Sequence, residues 1–86
     1  MAAREENRQK ARLIFDMVFA QLKMERGDLV FEAGFGRYKS MVGSGPLKGK
    51  PLYISERDLE DSGVTVEQIR RRLVARLKEE LEHSTH

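Results

Sequence analysis

The first third of the chain carries an apolar stripe at helical spacing. Positions separated by three and four residues are filled by Ala11, Ile14, Phe15, Val18, Phe19 and Leu22. This spacing places them on one face of a helix. We expect that helix over residues 4–26, with Gly27 as its left-handed C-terminal cap. Its first two turns are almost wholly polar, so we expect residues 1–10 to fray.

The apolar face of this helix is broader than one face of a small sheet needs, because Leu13, Met17 and Met24 widen the stripe. One interpretation is that the whole stripe is core. The other is that part of it also packs against a second copy of the chain. We expect that part to consist of Phe15, Met17 and Phe19.

Three short strands are predicted in the middle of the chain. Residues 28–33 and 37–42 alternate in polarity, and residues 51–55 form a third candidate that begins with Pro51, as suits an edge strand. In the second strand, Tyr38, Ser40 and Val42 share one face. Arg37, Lys39 and Met41 share the other, which makes that face basic.

Two helical elements are predicted after the strands. Ser55 can cap a helical turn over residues 55–63, which has acidic residues where the helix dipole favours them. Thr65 and Gln68 have the spacing of a capping box that begins the last helix. Its buried stripe is predicted to be Val66, Ile69, Leu73, Leu77 and Leu81. Residues 83–86 form a polar tail that we expect to fray.

The order of these elements predicts an α+β fold in a single small domain over residues 1–86. A long N-terminal helix precedes a small antiparallel meander of two to three strands, a helical turn and a C-terminal helix. We expect both long helices to pack on one face of the sheet, since each has one apolar stripe to bury.

Composition narrows the function. The chain has no cysteine, which excludes disulfides and thiolate chemistry, and no apolar run long enough to cross a membrane. We expect a cytoplasmic protein with no membrane partner and no cofactor. The net charge is only +2, but residues 34–54 contain four basic and no acidic residues, directly before the acidic segment 55–61.

Catalytic and metal-binding patterns are not matched. Residues 44–51 resemble a phosphate-binding loop, but Ser44 replaces its first glycine and Pro51 replaces its hydroxyl residue. Both histidines, His83 and His86, lie in the polar tail, where two ligands do not make a specific metal site. The acidic residues of 56–61 lack calcium-loop spacing. We therefore expect no enzyme and no metal site.

Binding functions remain. The leading hypothesis is a small regulatory module that acts by protein–protein interaction as a homodimer. The alternative is nucleic-acid binding by the basic hairpin of residues 34–54, which interleaves cations with aromatic rings. Its candidate residues are Arg37, Tyr38, Lys39, Lys48, Lys50 and Tyr53, with Arg72 and Arg76 as an extension on the last helix. A third hypothesis is a phosphate-containing small ligand held by backbone amides of residues 43–49.

Overall fold

A computed structural model of the chain describes residues 2–84 and confirms the α+β fold. Its elements in chain order are α1 (Ala2–Gln21), β1 (Val30–Glu32), β2 (Arg37–Met41), β3 (Pro51–Ser55), α2 (Glu56–Glu60) and α3 (Val66–Ser84). The three strands form one antiparallel sheet in the order β1-β2-β3. Within the described residues, neither long helix is apolar enough over a sufficient length to span a bilayer.

Helix α1 ends five residues earlier than the apolar pattern indicated. Lys23 takes the left-handed conformation, with φ 56°. Its N–H donates to the carbonyl of Ala20, and the N–H of Met24 donates to the carbonyl of Phe19 at 2.9 Å. This pair of bonds is a Schellman motif, so Lys23 and not Gly27 caps the helix.

Gly27 has a different role, in the close approach of two backbone segments. Its N–H donates to the carbonyl of Met41 at 2.7 Å. A Cβ atom at this position would lie only 3.1 Å from that same carbonyl oxygen. The glycine therefore lets the segment after α1 lie against the end of β2, where Arg26 also bridges Val42.

The polar N-terminal turns of α1, which we expected to fray, are helical and contact other elements. Asn7 is buried, and its Nδ2 donates to Glu60 Oε2 of α2 at 2.8 Å. The hydroxyl of Tyr38 donates to the carbonyl of Arg4 at 3.2 Å. Polar groups in these turns therefore bond to the protein itself. At the other end, His83 still belongs to α3, and residues 85–86 of the expected frayed tail lie outside the described residues.

The sheet has one buried face and one open face. β2 pairs with β3 through Arg37↔Ser55, Lys39↔Tyr53 and Met41↔Pro51, with Tyr38↔Ile54 and Ser40↔Leu52 between them. The predicted alternation is confirmed: Tyr38, Ser40, Leu52 and Ile54 are buried, whereas their strand neighbours are half-buried or exposed. β1 is shorter than the predicted strand 28–33 and pairs only through residues 30–32.

Both later helices begin as predicted. Ser55 caps α2 by accepting the N–H of Arg57 at 3.2 Å. Thr65 and Gln68 form both bonds of the capping box, since each backbone N–H donates to the other residue's side-chain oxygen. These caps satisfy amides that would otherwise lack partners. They fix where the chain turns from the sheet into α3.

The hydrophobic core lies between the helices and the buried face of the sheet. One continuous cluster joins residues of α1, α3, the strands and the β2–β3 loop. Its fully buried side chains include Phe15, Tyr38, Leu47 and Leu77. Because both helices lie on this side, no described element covers the other face of the sheet.

Candidate functional site

The face of the sheet that the helices leave uncovered lies outside the core. We call it the open sheet face; its strand residues are Val30, Glu32, Arg37, Lys39, Met41, Pro51, Tyr53 and Ser55. Large apolar side chains are exposed on it: Val30 is 45% and Met41 44% exposed. Exposed apolar side chains that cluster on a small domain often mark a binding surface, so the open sheet face is the candidate site.

Arg37 lies at the start of the central strand β2, at the end of the open sheet face next to the β1–β2 turn. Its Cζ lies 3.8 Å from the ring centroid of Tyr53 and 4.3 Å from that of Phe35. Its Nε also donates to Glu32 Oε1 at 2.6 Å. The guanidinium therefore contacts two aromatic rings and one carboxylate, an arrangement that a lysine cannot reproduce.

Phe35 reaches this position because of the turn between β1 and β2. The N–H groups of Phe35 and Gly36 donate to the carbonyls of Glu32 and Ala33, and Gly36 takes the left-handed φ of 61°. Phe35 is 72% exposed, the largest value among the exposed large hydrophobic residues. Sequence reasoning missed it. The feature of the sequence that could have identified Phe35 is a large apolar residue between two glycines.

Glu32 neutralises much of the positive charge on the open sheet face. Besides Arg37, it contacts Lys39, whose Nζ lies 3.5 Å from Glu32 Oε2. The hydrogen bond from Arg37 is the main reason why the pKa of Glu32 lies below its ordinary value, and the charge of Lys39 adds to it. The predicted basic face of β2 therefore has an internal counter-charge supplied by β1.

Tyr38 does not belong to the binding surface predicted for it. The side chain is only 1% exposed, and its ring lies 4.8 Å from that of Phe31 under α1. Burial raises the pKa of its phenol, with a smaller contribution from the charge of Glu56. The alternation that places Arg37 and Lys39 on the open sheet face necessarily turns Tyr38 into the core.

The two lysines of the β2–β3 loop are separated from Arg37 and Lys39. Val42 N–H donates to the carbonyl of Lys50 at 2.9 Å, which continues the ladder beyond Pro51 and points Lys50 to the helix side. There its Nζ lies 3.5 Å from Glu80 Oε2 of α3. Lys48 is exposed on the loop. The basic hairpin is therefore not one continuous patch.

The glycine-rich loop is an anchored structure. Leu47 is 2% exposed and inserts into the core. The amides of Gly43, Lys48 and Gly49 donate to carbonyls of the protein. The phosphate-ligand hypothesis requires free backbone N–H groups in residues 43–49. Half of these N–H groups are already bonded within the protein, so the loop offers no continuous row of free donors.

Arg72 and Arg76 lie on α3, in the layer opposite the open sheet face, and do not extend it. Arg72 donates to Asp58 Oδ2 of α2 at 3.1 Å. Arg76 is exposed one turn further along. The two residues share one flank of α3 with Glu80, as their spacing of four requires.

The residues predicted to contact a second copy from α1 are largely inaccessible. Phe15 is 0% and Phe19 2% exposed, with their rings 6.4 Å apart in the core. Met17 is half-buried against the same core. The wide apolar face of α1 is needed by the protein itself because the sheet and α3 both pack against it.

The acidic residues around α2 all have structural partners. Glu56 contacts Arg4 at 3.7 Å, Asp58 accepts from Arg72, Glu60 accepts from Asn7, and Asp61 accepts from the N–H of Gly63. In residues 2–84, no three potential ligands converge on a point where a metal ion could bind. A cleft of about 630 Å³ lies between these acids and Phe35.

Comparisons with known proteins give no relative. No family model matches the chain, and neither a curated protein nor a solved structure resembles it significantly.

Proposed function

We propose that this chain is a non-catalytic interaction module that acts by protein–protein contact and associates with a second copy of itself through its sheet. The observation that supports this most is the sheet itself, which is covered on one face only. Its other face exposes Val30, Met41 and Phe35 around the Arg37–Tyr53 contact. The absence of cysteine suits a reducing compartment, so we place this module in the cytoplasm.

The composition of the open sheet face favours a protein partner. Aromatic residues, methionine and arginine are enriched in the cores of protein interfaces, whereas lysine and glutamate are depleted there. Tyr and Arg are also the residue types that most often dominate binding energy. The close pair Arg37–Tyr53 on a nearly neutral surface fits this description better than it fits a purely electrostatic binding surface.

A second copy is the partner that the size and charge of the chain favour. An 86-residue chain buries only a small core, and pairing with itself is a direct way to bury more surface. The basic segment 34–54 directly precedes the acidic segment 55–61 along the chain, so a two-fold arrangement can bring opposite charges together. A two-fold interface requires such self-complementarity.

The test is the mass of the chain in solution. Light scattering at protein concentrations up to about 500 μM would detect a dimer even with a dissociation constant near 100 μM. We expect the mass to rise with concentration towards twice 9.9 kDa. A mass of one chain at every concentration would contradict self-association.

Single-stranded nucleic acid is the second candidate ligand, and one observation favours it. Arg37 contacts two aromatic rings on an open sheet, with Lys39 beside it, and Phe35 leaves much of its surface free. Exposed rings and cations on a sheet can stack on unpaired bases and contact phosphates. Glu32 opposes this binding because it already neutralises both cations.

Fluorescence anisotropy with labelled single-stranded DNA and RNA at two salt concentrations tests this candidate. We expect binding that weakens with salt, and Glu32→Gln should strengthen it because Arg37 and Lys39 become available. Phe35→Ala should weaken it. Leu13→Ala, at a residue 54% exposed on α1, is the control. Binding that is absent at micromolar protein and low salt would eliminate the candidate.

A further inference from the structure

The outer edge of β3 presents free backbone groups whose positions are fixed by the ladder with β2. Val42 N–H donates to Lys50 C=O at one end, and Glu56 N–H donates to Gly36 C=O at the other. Hydrogen-bonded pairs recur every second residue in an antiparallel ladder. Leu52 and Ile54 therefore bond to β2, whereas the backbone groups of Tyr53 point outward.

Pro51 and Ser55 share this outward orientation with Tyr53. β3 is the last strand of the sheet, and within residues 2–84 no backbone hydrogen bond from Tyr53 or Ser55 N–H to a turn or loop is found. The edge thus offers two donors, from Tyr53 and Ser55, and two free acceptors, from Pro51 and Tyr53. β1, the other edge, has only three residues.

We propose that two copies of the chain pair antiparallel along β3, with the two-fold axis at Tyr53, to form a continuous six-stranded sheet. This inference rests on the proposed self-association and specifies its interface as the β3 edge, so the open sheet face stays uncovered in the dimer. Tyr53 of each copy exchanges both backbone bonds with Tyr53 of the other. Ser55 N–H donates to Pro51 C=O on each side, which makes four hydrogen bonds.

Two backbone features usually weaken strand pairing at an edge: a residue without an N–H, and a carbonyl that is already hydrogen-bonded. In this register the two features face each other. Pro51 has no N–H to donate, and its position faces Ser55 of the second copy. Ser55 is the N-cap of α2, and the carbonyl of an N-cap residue already accepts the first bond of its helix. The missing donor and the occupied acceptor are therefore opposite each other, so the pairing leaves neither group without a partner.

The adjacent flank of α3 adds charge complementarity to the same register. Arg72 contacts Asp58 just after β3, and Glu80 contacts Lys50 just before it, so α3 runs antiparallel to β3. Arg70 contacts Gln21 of α1, which places the flank of Arg72 and Glu80 on the other side of the helix. A two-fold axis at Tyr53 directs Arg72 of one copy towards Glu80 of the other. The two Arg76 side chains meet near the axis, where their exposed chains can diverge.

Site-specific cross-linking tests the register, because the natural chain has no cysteine. Tyr53→Cys puts one thiol on each side of the axis, at a Cα separation of about 5.5 Å for a hydrogen-bonded pair. A short bis-maleimide should convert this variant to covalent dimer at least tenfold faster than Val30→Cys or Leu13→Cys. Val30 is on β1 and Leu13 on α1, and both are about half exposed.

Each outcome of this experiment has one meaning. Rapid cross-linking of the Tyr53→Cys variant alone supports the β3 register. Faster cross-linking of the Val30→Cys variant would show that the copies meet through β1 or face to face, and would overturn the inference while leaving self-association intact. Equal, slow rates for all three variants would overturn it as well.

Tyr53→Pro provides a second test that does not depend on thiol chemistry. The substitution removes the outward N–H but no hydrogen bond to β2, and proline is tolerated at sheet edges. We expect the fold to persist by circular dichroism while the dimer weakens at least tenfold by light scattering. A Tyr53→Pro variant that folds and dimerises like the natural chain would overturn the β3 register. If the natural chain itself has the mass of a monomer, the proposed function fails first.

Discussion

The guanidinium of Arg37 lies 3.8 Å above the ring of Tyr53, across the strands β2 and β3. The two residues are diagonal neighbours, since Arg37 pairs with Ser55 and Tyr53 pairs with Lys39. Diagonal neighbours on one sheet face contact each other when their side chains are long. This contact links the two strands on the open sheet face, where no helix does so.

Loss of the Arg37 stack should destabilise the fold measurably. We expect Arg37→Ala to lower the free energy of unfolding by about 1–2 kcal/mol, because it removes contacts with two rings, each worth about 0.5–1 kcal/mol. Lys39→Ala, which loses only the Glu32 contact, should cost less than about 1 kcal/mol. Urea unfolding of the two variants measures the difference. Equal losses would contradict a structural role for the stack.

Tyr38 should make stability depend on pH in the alkaline range. Burial raises its pKa above the ordinary value of 10.0, so the folded state favours the neutral phenol. The stability that this difference in pKa contributes is therefore fully present below about pH 10, and it is lost as the pH rises through the higher folded-state pKa. Tyr38→Phe should lose about 0.5–1.5 kcal/mol at neutral pH, since the Arg4 carbonyl loses a donor.

Urea unfolding between about pH 8 and pH 11 separates these effects. The difference in stability between the natural chain and Tyr38→Phe should shrink above pH 10. A difference that stays constant over this range would show that the phenol does not ionise differently in the folded and unfolded states.

Lys23 should tolerate replacement by glycine with a gain in stability. It adopts φ 56°, a conformation that costs a residue with a Cβ about 1 kcal/mol and costs glycine little. We expect Lys23→Gly to raise the free energy of unfolding by about 0.5 kcal/mol in thermal or urea unfolding. The gain is smaller than the conformational cost that is removed, because glycine also makes the unfolded chain more flexible. Lys10→Gly, in the middle of α1, should instead lose about 1 kcal/mol. Losses of similar size in both variants would contradict the Schellman cap.

Leu47 should behave as a core residue although it lies in a glycine-rich loop. We expect Leu47→Ala to lower the free energy of unfolding by about 2–4 kcal/mol, as for other buried leucines. The neighbouring exposed Lys48→Ala should change it by less than about 0.5 kcal/mol. Chemical denaturation compares the two. Similar small effects would mean that the loop is not anchored.

Periodicity predicted the elements whose side chains repeat regularly. The apolar stripe of α1, the alternation of β2 and the Thr65–Gln68 box each depend on local spacing, and each is confirmed. The end of α1 could not be predicted this way. A lysine has little preference for φ 56°, and the residues after it, Met24 and Gly27, are held by contacts with the core and with β2 that are distant in sequence.

The candidate site was predictable only in part, because it combines residues from separate strands. Arg37, Lys39 and Tyr53 were identified from the basic segment, and the alternation of β2 also indicated that Tyr38 faces away from Arg37. The counter-charge of Glu32 depends on the β1–β2 register, which the sequence does not specify. The contact of Phe35 with Arg37 depends on the conformation of the turn. Composition alone does not indicate a binding role for a single phenylalanine between two glycines.

Amide hydrogen exchange at low and high protein concentration tests the central claim most directly. The outward N–H groups of Tyr53 and Ser55 should exchange rapidly in dilute protein and become protected together as the concentration rises. The N–H of Phe31, which points outward from the other edge strand because Phe31 and Tyr38 form a non-hydrogen-bonded pair, serves as the comparison and should not change with concentration. Protection of Tyr53 and Ser55 that is independent of concentration, or concentration-dependent protection elsewhere instead, would contradict a dimer built on β3.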